Sequence, residues 1–305
     1  MNRDNTVAIV NPKAANRKWP RRKRLRRYIR KHLQGQLIHT RSQKKYTHDI
    51  LKNLDESIEY VIAVGGDGTV AEVIQGIVRS ERSKDITFGI IPYGSGNAIC
   101  YTLGIPKNIR KSIKHLKKEN TKEIDLIDIE GQTGVFASIG AAAQIVYYKL
   151  QRKIPGLLGH LWAARTMAFI KRKHLDIEMF DGVDDKGNHF ETKKFQIKAL
   201  DCIVNKTKHF GYSWRIAPKA EIDDGYLDIS FFQMPGIIFI LGFAWIYSGF
   251  FHGFRRHYKA KRIIVMGKDL FVQYNGELFG KKNKVDIKVL PKALRIITKK
   301  KNRSG

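Results

Sequence analysis

The chain is poor in cysteine and in acidic residues. Its two cysteines among 305 residues, Cys100 and Cys202, stand far apart without metal-type spacing, which excludes a disulfide framework and a zinc site and suits a reducing cytoplasm. Asp and Glu number 28 against 57 Lys and Arg, a formal net charge of +29. Such an excess implies an anionic partner, either nucleic acid or an acidic membrane surface. The N-terminus lacks the apolar core and small-residue cleavage site of a signal peptide, so secretion is not expected. Long apolar runs are scarce as well. Between Asp228 and His252 no residue is charged, yet Pro235-Gly236 divides this segment into a strand, 226–232, and a remainder, 237–251, that is short for a bilayer span. The remainder reads as a helix that is either an ordinary core helix or faces an interface, with Phe243, Trp245, Phe250 and Phe251 able to dip into lipid.

What is present is concentrated at residues 60–74. An uncharged β-branched run, Tyr60-Val61-Ile62-Ala63-Val64, ends in Gly65-Gly66-Asp67-Gly68-Thr69, and an amphipathic segment begins at once. That order reads as strand, phosphate loop, helix. Backbone N–H groups that converge on a phosphate call for positive φ angles and no Cβ in the way. The helix, expected from near Thr69, adds the positive end of its dipole. Asp67 stands out, because a carboxylate beside a polyphosphate is repulsive unless it works on a metal ion or on the proton of an attacking hydroxyl. The combination points to phosphoryl transfer, although a glycine-rich turn between strand and helix is also common without function. Residues 66–71 fit the loose G-x-G-x-x-A dinucleotide pattern too. The next strand, however, ends in Tyr93-Gly94-Ser95-Gly96-Asn97 and not in an acidic residue that would hold a ribose.

In chain order, a strand is expected over Thr6–Val10, running into Asn11-Pro12-Lys13, followed by a basic amphipathic helix from Pro20 with Leu25, Tyr28, Ile29 and Leu33 on one face. Its basic face is either simply solvated or contacts anionic lipid headgroups; without interleaved aromatics, nucleic acid ranks third. Then come a strand at Gln36–Thr40, a helix to about Leu54, the central loop with its helix to about Val78, and a strand at Thr87–Ile91. Such alternation indicates a parallel sheet with ligands at the carboxyl ends of its strands. After a basic helical stretch at 108–118 the pattern changes. Strands are expected at Val135–Ser138, Leu175–Phe180, Phe195–Val204, Trp214–Ala217, Tyr226–Phe232, Arg262–Met266, Leu270–Tyr274 and Val285–Val289, with helices at Ala143–Lys153 and Leu157–Lys173. The expected architecture is therefore α/β + β: a parallel α/β nucleotide-binding domain, 1–128, and an antiparallel β-sandwich domain, 129–305, whose extreme C-terminus returns to the first.

These residues resemble the diacylglycerol kinase catalytic-domain family, which includes bacterial lipid kinases and the sphingosine kinases. Gly65-Gly66-Asp67-Gly68-Thr69 with Glu72 is similar to its signature loop and Pro92-Tyr93-Gly94-Ser95-Gly96-Asn97 to its second nucleotide loop. Ala217-Pro218 leading to Asp223-Asp224-Gly225-Tyr226-Leu227-Asp228 is similar to its C-terminal metal segment, and Asn275-Gly276-Glu277 stands where the family has Asp-Gly-Glu. The resemblance implies an active site in the interdomain cleft and transfer of the ATP γ-phosphoryl group to a lipid hydroxyl, with ATP and Mg2+ as cofactors. Asn11, Thr40, Gly65, Gly66, Asp67, Gly68, Thr69, Glu72, Ser95, Gly96 and Asn97 are then expected at the nucleotide. The backbone oxygens of Glu221 and Tyr226 and the side chain of Asp224 are implied as a structural magnesium site. Glu277 is the implied proton acceptor, and Asp67 helps place the catalytic magnesium or shares the base role.

Three departures qualify the match: Asn275 in place of Asp, the missing Ser-Gly after Asn11-Pro12, and Ala98-Ile99-Cys100 after the second loop, closer to the sphingosine kinase form. The expected partners are a lipid substrate, diacylglycerol or a long-chain base, and an anionic membrane surface, placing the chain peripherally at the inner membrane face; no nucleic acid is expected. The rivals are a catalytically weak nucleotide- and lipid-binding protein, motivated by Asn275, and an NAD kinase-like phosphotransferase, for which no downstream Asn-Glu or Asn-Asp pair is placed to hold the substrate.

Overall fold

The computed structural model describes residues 1–2, 4–12, 23–33, 35–40, 44–94, 97–152, 165–210, 215–242 and 255–299. The chain divides into two compact units, Met1–Ile124 with Lys292–Gly305, and Asp125–Pro291.

In the first unit, β1 (Thr6–Val10), β2 (Gln36–His39), β3 (Tyr60–Gly65) and β4 (Thr87–Pro92) pair in parallel in the order β2-β1-β3-β4. The end of the long strand β13 (Glu277–Ile297) lies parallel beside β4, with Arg295 opposite Thr87. β1, β3 and β4 are apolar almost throughout and nearly every residue in them is buried, as expected of parallel strands covered on both faces. Among the described residues this unit has the helices α1 (Lys23–Leu33), α2 (Lys44–Lys52), α3 (Asp67–Arg79), α4 (Ala98–Thr102) and α5 (Ile109–Leu116). Ile29 and Leu33 of α1 join Ile113 and Leu116 of α5 over Ala8, Val10, Ile62, Val64 and Ile91. Asn108 caps α5 by accepting the Lys111 N–H at 3.1 Å. From β1 the chain moves outward to β2 and then returns to the other side of β1 as β3. Loops after β1 and β3 therefore leave in opposite directions and open a crevice at the carboxyl ends of these strands.

The second unit is antiparallel. β7 (Phe136–Gly140), β10 (Asp201–Asn205), β11 (Leu227–Phe232) and β12 (Arg255–Tyr274) pair in a closed circuit, β7 to β10, β10 to β11, β11 to β12 and β12 back to β7. β12 also pairs with β13 and with β8 (Lys173–Val183), and β8 with β9 (His189–Ala199). β5 (Thr121–Ile129) pairs with the short β6 (Gln132–Gly134). Between these strands lies a core that includes Ile139, Ile177, Val204, Phe231, Val265 and Val285. Two helices, α6 (Ala141–Arg152) and α7 (Gly236–Leu241), and a 3-10 turn (Arg165–Phe169) complete the described elements.

Several expectations require correction. α3 begins at Asp67, two residues before the expected start. The single strand expected over 195–204 is two, because at Leu200 the chain leaves β8 for a place between β7 and β11. Conversely, the strands expected at 262–266 and 270–274 are one, β12, with register shifts between Met266 and Leu270 and between Val272 and Gln273. Residues 215–217 are irregular and Trp214 lies outside the described residues. Of the helix expected over 157–173, residues 157–164 lie outside the described residues, Arg165–Phe169 form a 3-10 turn, and Lys173 already belongs to β8. Of the helix expected over 237–251, α7 ends at Leu241, and Phe243, Trp245, Phe250 and Phe251 lie outside the described residues. Among the described residues no helix is long and apolar enough to cross a membrane.

Candidate active site

The first group of candidate residues gathers at the carboxyl edge of the parallel sheet. Asn11 follows β1; its N–H donates to the Val64 carbonyl at 3.1 Å, and its side-chain Nδ2 donates to Thr69 Oγ1 at 3.0 Å. Thr40, buried at the end of β2, donates its N–H to the Val10 carbonyl at 2.8 Å. β3 passes through Gly65 to Gly66, which caps α3. The first bond within α3 runs from the Val70 N–H to the Gly66 carbonyl, 3.0 Å. The N–H groups of residues 67–69 therefore stand at the open end of the helix, with the geometry and dipole of an anion site. Glu72 lies one turn further along α3.

The glycines of this loop serve space and not the positive φ angles expected of them. Gly66 is extended, with φ −95° and ψ −171°, and Gly65 and Gly68 are not among the positive-φ positions. A Cβ on Gly65 would fall 2.5 Å from Thr69 Oγ1, and one on Gly94 would fall 2.4 Å from the Cα of Gly66. The two glycine loops thus pack backbone against backbone, joined also by the Tyr93 N–H on the Gly65 carbonyl at 2.7 Å. A Cβ on Gly68 would meet nothing within 4 Å.

Asp67 holds this arrangement. Its Oδ2 accepts the N–H of Asn97 at 2.7 Å and its Oδ1 the N–H of Ala98 at 2.8 Å. Burial raises the Asp67 pKa, and these two donors oppose the rise. Asn97 is left-handed, φ 60° and ψ 40°, and its side chain donates to the Gly94 carbonyl at 3.0 Å. Both carboxylate oxygens of Asp67 are therefore engaged in fixing the second loop, a role that sequence reasoning did not assign. Ser95 and Gly96 lie outside the described residues.

In the second unit, Asn275 and Gly276, with φ of 49° and 82°, form the two-residue turn between β12 and β13, and Tyr274 pairs with Glu277. Asn-Gly is the preferred pair for a hairpin turn that needs positive φ twice. This signal was available in the sequence and marks a hairpin there. The Asn275 side chain accepts the Val135 N–H at 3.0 Å and donates to the Thr133 carbonyl at 3.3 Å. The amide of Asn275 thus pins the chain at the end of β6, and a carboxylate would have no hydrogen to offer Thr133. Glu277, half-buried, opens β13 directly after this turn.

The 221–226 turn is held by two ammonium groups. Lys206 Nζ lies 2.7 Å from Asp224 Oδ1, 2.5 Å from the Tyr226 carbonyl and 3.0 Å from Asp125 Oδ2, while Lys259 Nζ lies 2.5 Å from Asp224 Oδ2. The Asp224 side chain and Tyr226 carbonyl, two of the three groups implied as magnesium ligands with Glu221, are therefore already occupied by cationic donors, and as placed they do not fit a resident magnesium ion. Among the described residues no group of three His, Cys, Asp or Glu is placed to hold a metal.

Comparison with known proteins follows the two units. The model of the diacylglycerol kinase catalytic domain matches residues 5–129, and that of the YegS C-terminal NAD kinase beta sandwich-like domain matches residues 150–298. A diacylglycerol kinase of Bacillus subtilis (strain 168) is 26% identical over 188 residues, 60% of this chain and 58% of that protein. One from Staphylococcus saprophyticus is 25% identical over 183 residues, 60% of this chain and 57% of that protein. The chain thus matches less than two thirds of the length of these relatives. Among solved structures, a diacylglycerol kinase of Bacillus anthracis str. Sterne covers 98% of this chain and 98% of its own, with a TM-score of 0.70 and 23% identity. This likeness shows the α/β + β fold.

Proposed function

Because the chain belongs to the diacylglycerol kinase catalytic-domain family, we propose that it is an ATP-dependent lipid kinase, transferring the γ-phosphoryl group to the hydroxyl of a lipid such as diacylglycerol or a long-chain base. The observation that carries the nucleotide half of this reading is the 3.0 Å bond from Asn11 to Thr69. It joins the end of β1 to the first turn of α3, beside the point where the strand order reverses and where such sheets bind their ligands.

At that point the N–H groups of residues 67–69 receive phosphate oxygens, and Thr69 and Asn11 fix the loop's edge. Asp67 keeps the second loop against the first, so that donors are in place before charge develops. A magnesium ion arriving with the triphosphate would supply neutralisation of the phosphate oxygens. Glu277 accepts the proton of the lipid hydroxyl, from a position made rigid by the Asn275-Gly276 turn.

The lipid half is supported by the surface of the second unit. Phe169, Leu241 and Ile237 are 86%, 77% and 49% exposed. They sit on the 3-10 turn and on α7, which pack together: a Cβ on Gly236 would strike the Met167 carbonyl. Exposed Lys171, Arg172 and Lys173 follow after Ile170. Apolar side chains rimmed by cations suit an anionic bilayer surface, where each basic residue contributes about 1 kcal/mol. In the first unit, considered by itself, Lys23, Arg27, Arg30 and Lys31 of α1 are exposed and also suit an anionic surface. The rival reading, a binding protein without turnover, rests on Asn275 where the family has Asp; a structural role for the amide, supported by its bonds to residues 133 and 135, favours the kinase reading.

The test is transfer of labelled phosphate from ATP into diacylglycerol, sphingosine, ceramide or monoacylglycerol in anionic vesicles. Product with one lipid, lost in Glu277→Gln, supports the reading and names the acceptor. Bound ATP with no product in any lipid overturns it.

A further inference from the structure

We propose that Lys206 is a built-in cation, its ammonium group standing where the family resemblance implies a divalent ion, so that the 221–226 turn is held without metal. Lys206 follows β10 directly; its N–H donates to the Val135 carbonyl at 2.8 Å, and its side chain is wholly buried. An ammonium has three hydrogens and accepts nothing, so a buried one needs three acceptors. Lys206 has that number: Asp224 Oδ1 at 2.7 Å, the Tyr226 carbonyl at 2.5 Å and Asp125 Oδ2 at 3.0 Å.

The same acceptors organise the turn. Asp125 Oδ2 also takes the Gly225 N–H at 2.7 Å, and Asp224 Oδ1 takes the Tyr226 N–H at 3.1 Å. Gly225 has φ +77°, a conformation that glycine enters without penalty. The Asp125 N–H donates in turn to the Ile222 carbonyl at 2.7 Å. Residues 222–226 are thus tied to β5 and β10 around one positive charge, and β11 starts at the next residue.

Geometry argues against a further ion. Asp125 and Asp224 are each paired directly with an ammonium, Lys206 with both and Lys259 with Asp224, while Asp228 and Glu221 act on Lys259 through space. Magnesium requires oxygen ligands at about 2.0–2.1 Å in a near-octahedral shell. An ion at that distance from both Asp224 Oδ1 and the Tyr226 carbonyl would lie against the Lys206 ammonium, where like charges in a buried site repel strongly.

The decisive experiment is diffraction from the nucleotide-free full chain soaked in manganese, which replaces magnesium and is located by its anomalous signal. No manganese peak is expected within coordination distance of Asp224 Oδ1 or the Tyr226 carbonyl; a peak bridging them overturns the assignment. The second measurement is the melting temperature of Lys206→Met in chelator. A clear loss relative to the wild-type chain is expected, since two buried carboxylates lose their shared cation. A variant as stable as wild type would also overturn it. If Lys206→Met fails to fold, the wild-type diffraction experiment still decides.

Discussion

Asp67 Oδ2 accepts the backbone N–H of Asn97 across 2.7 Å, so the acid of the first glycine loop is the clamp of the second. Its other oxygen takes the Ala98 N–H at 2.8 Å. Asp67→Asn would turn an NH2 group toward one of these two donors. A loss of about 1–3 kcal/mol in stability is expected for the unsatisfied N–H, together with weaker ATP binding, read by thermal melting and calorimetry. Unchanged melting would contradict the clamp.

Gly68 and Gly94 separate the demands of folding from those of the ligand. Gly94→Ala would drive a Cβ to 2.4 Å from Gly66 Cα, and both stability and ATP affinity should fall. Gly68→Ala meets no neighbour within 4 Å, and alanine favours a helix over glycine by roughly 0.8–1 kcal/mol in helix interiors. Its melting temperature should hold or rise while ATP affinity drops. Equal loss of stability in both variants would refute the distinction.

Asn275→Asp should not raise activity. The substitution removes the donor to the Thr133 carbonyl and places a carboxylate beside it. A destabilisation of about 1–3 kcal/mol is expected, measurable by chemical denaturation. A gain in phosphate transfer would instead restore position 275 to the catalytic constellation.

Asp201 gives the fold a pH dependence. Buried at the start of β10, it accepts the Ala142 N–H at 2.6 Å at the head of α6, and the Ser138 hydroxyl at 3.0 Å. Burial pushes its pKa up to about 7, against the pull of those donors, from an ordinary value of 3.8. The folded state therefore binds this proton more tightly than the unfolded one. Stability from this group is full below about pH 4, declines as pH rises to about 7 and is flat beyond, a difference on the order of 4 kcal/mol. Asp201→Asn should remove that slope, so that its stability relative to wild type improves from pH 4 to pH 7. Parallel pH profiles of the two proteins would exclude the effect.

Membrane binding is expected to depend on Phe169 and Leu241. Replacing both by Asp should reduce partition into anionic vesicles strongly, and added salt should weaken the wild-type interaction as well. Binding that survives both changes would place the lipid contact elsewhere.

The sequence alone determined the local parts. Strand β3, the turn at Gly65-Gly66 and helix α3 follow from residues adjacent in the chain, and so does their order with β1, β2 and β4, because apolar periodicity and missing Cβ atoms act over a few residues. The Asn275-Gly276 turn carried the same kind of local signal. Tertiary structure decided the partners of the polar side chains. Asp67 meets Asn97 from 30 residues away, Asn275 meets Val135 from 140, and Gly225 meets Asp125 from 100. No periodicity encodes such distances. Whether a carboxylate binds a metal, a backbone N–H or an ammonium depends on which groups the fold brings within about 3 Å. At Asp224 the fold brings Lys206 and Lys259.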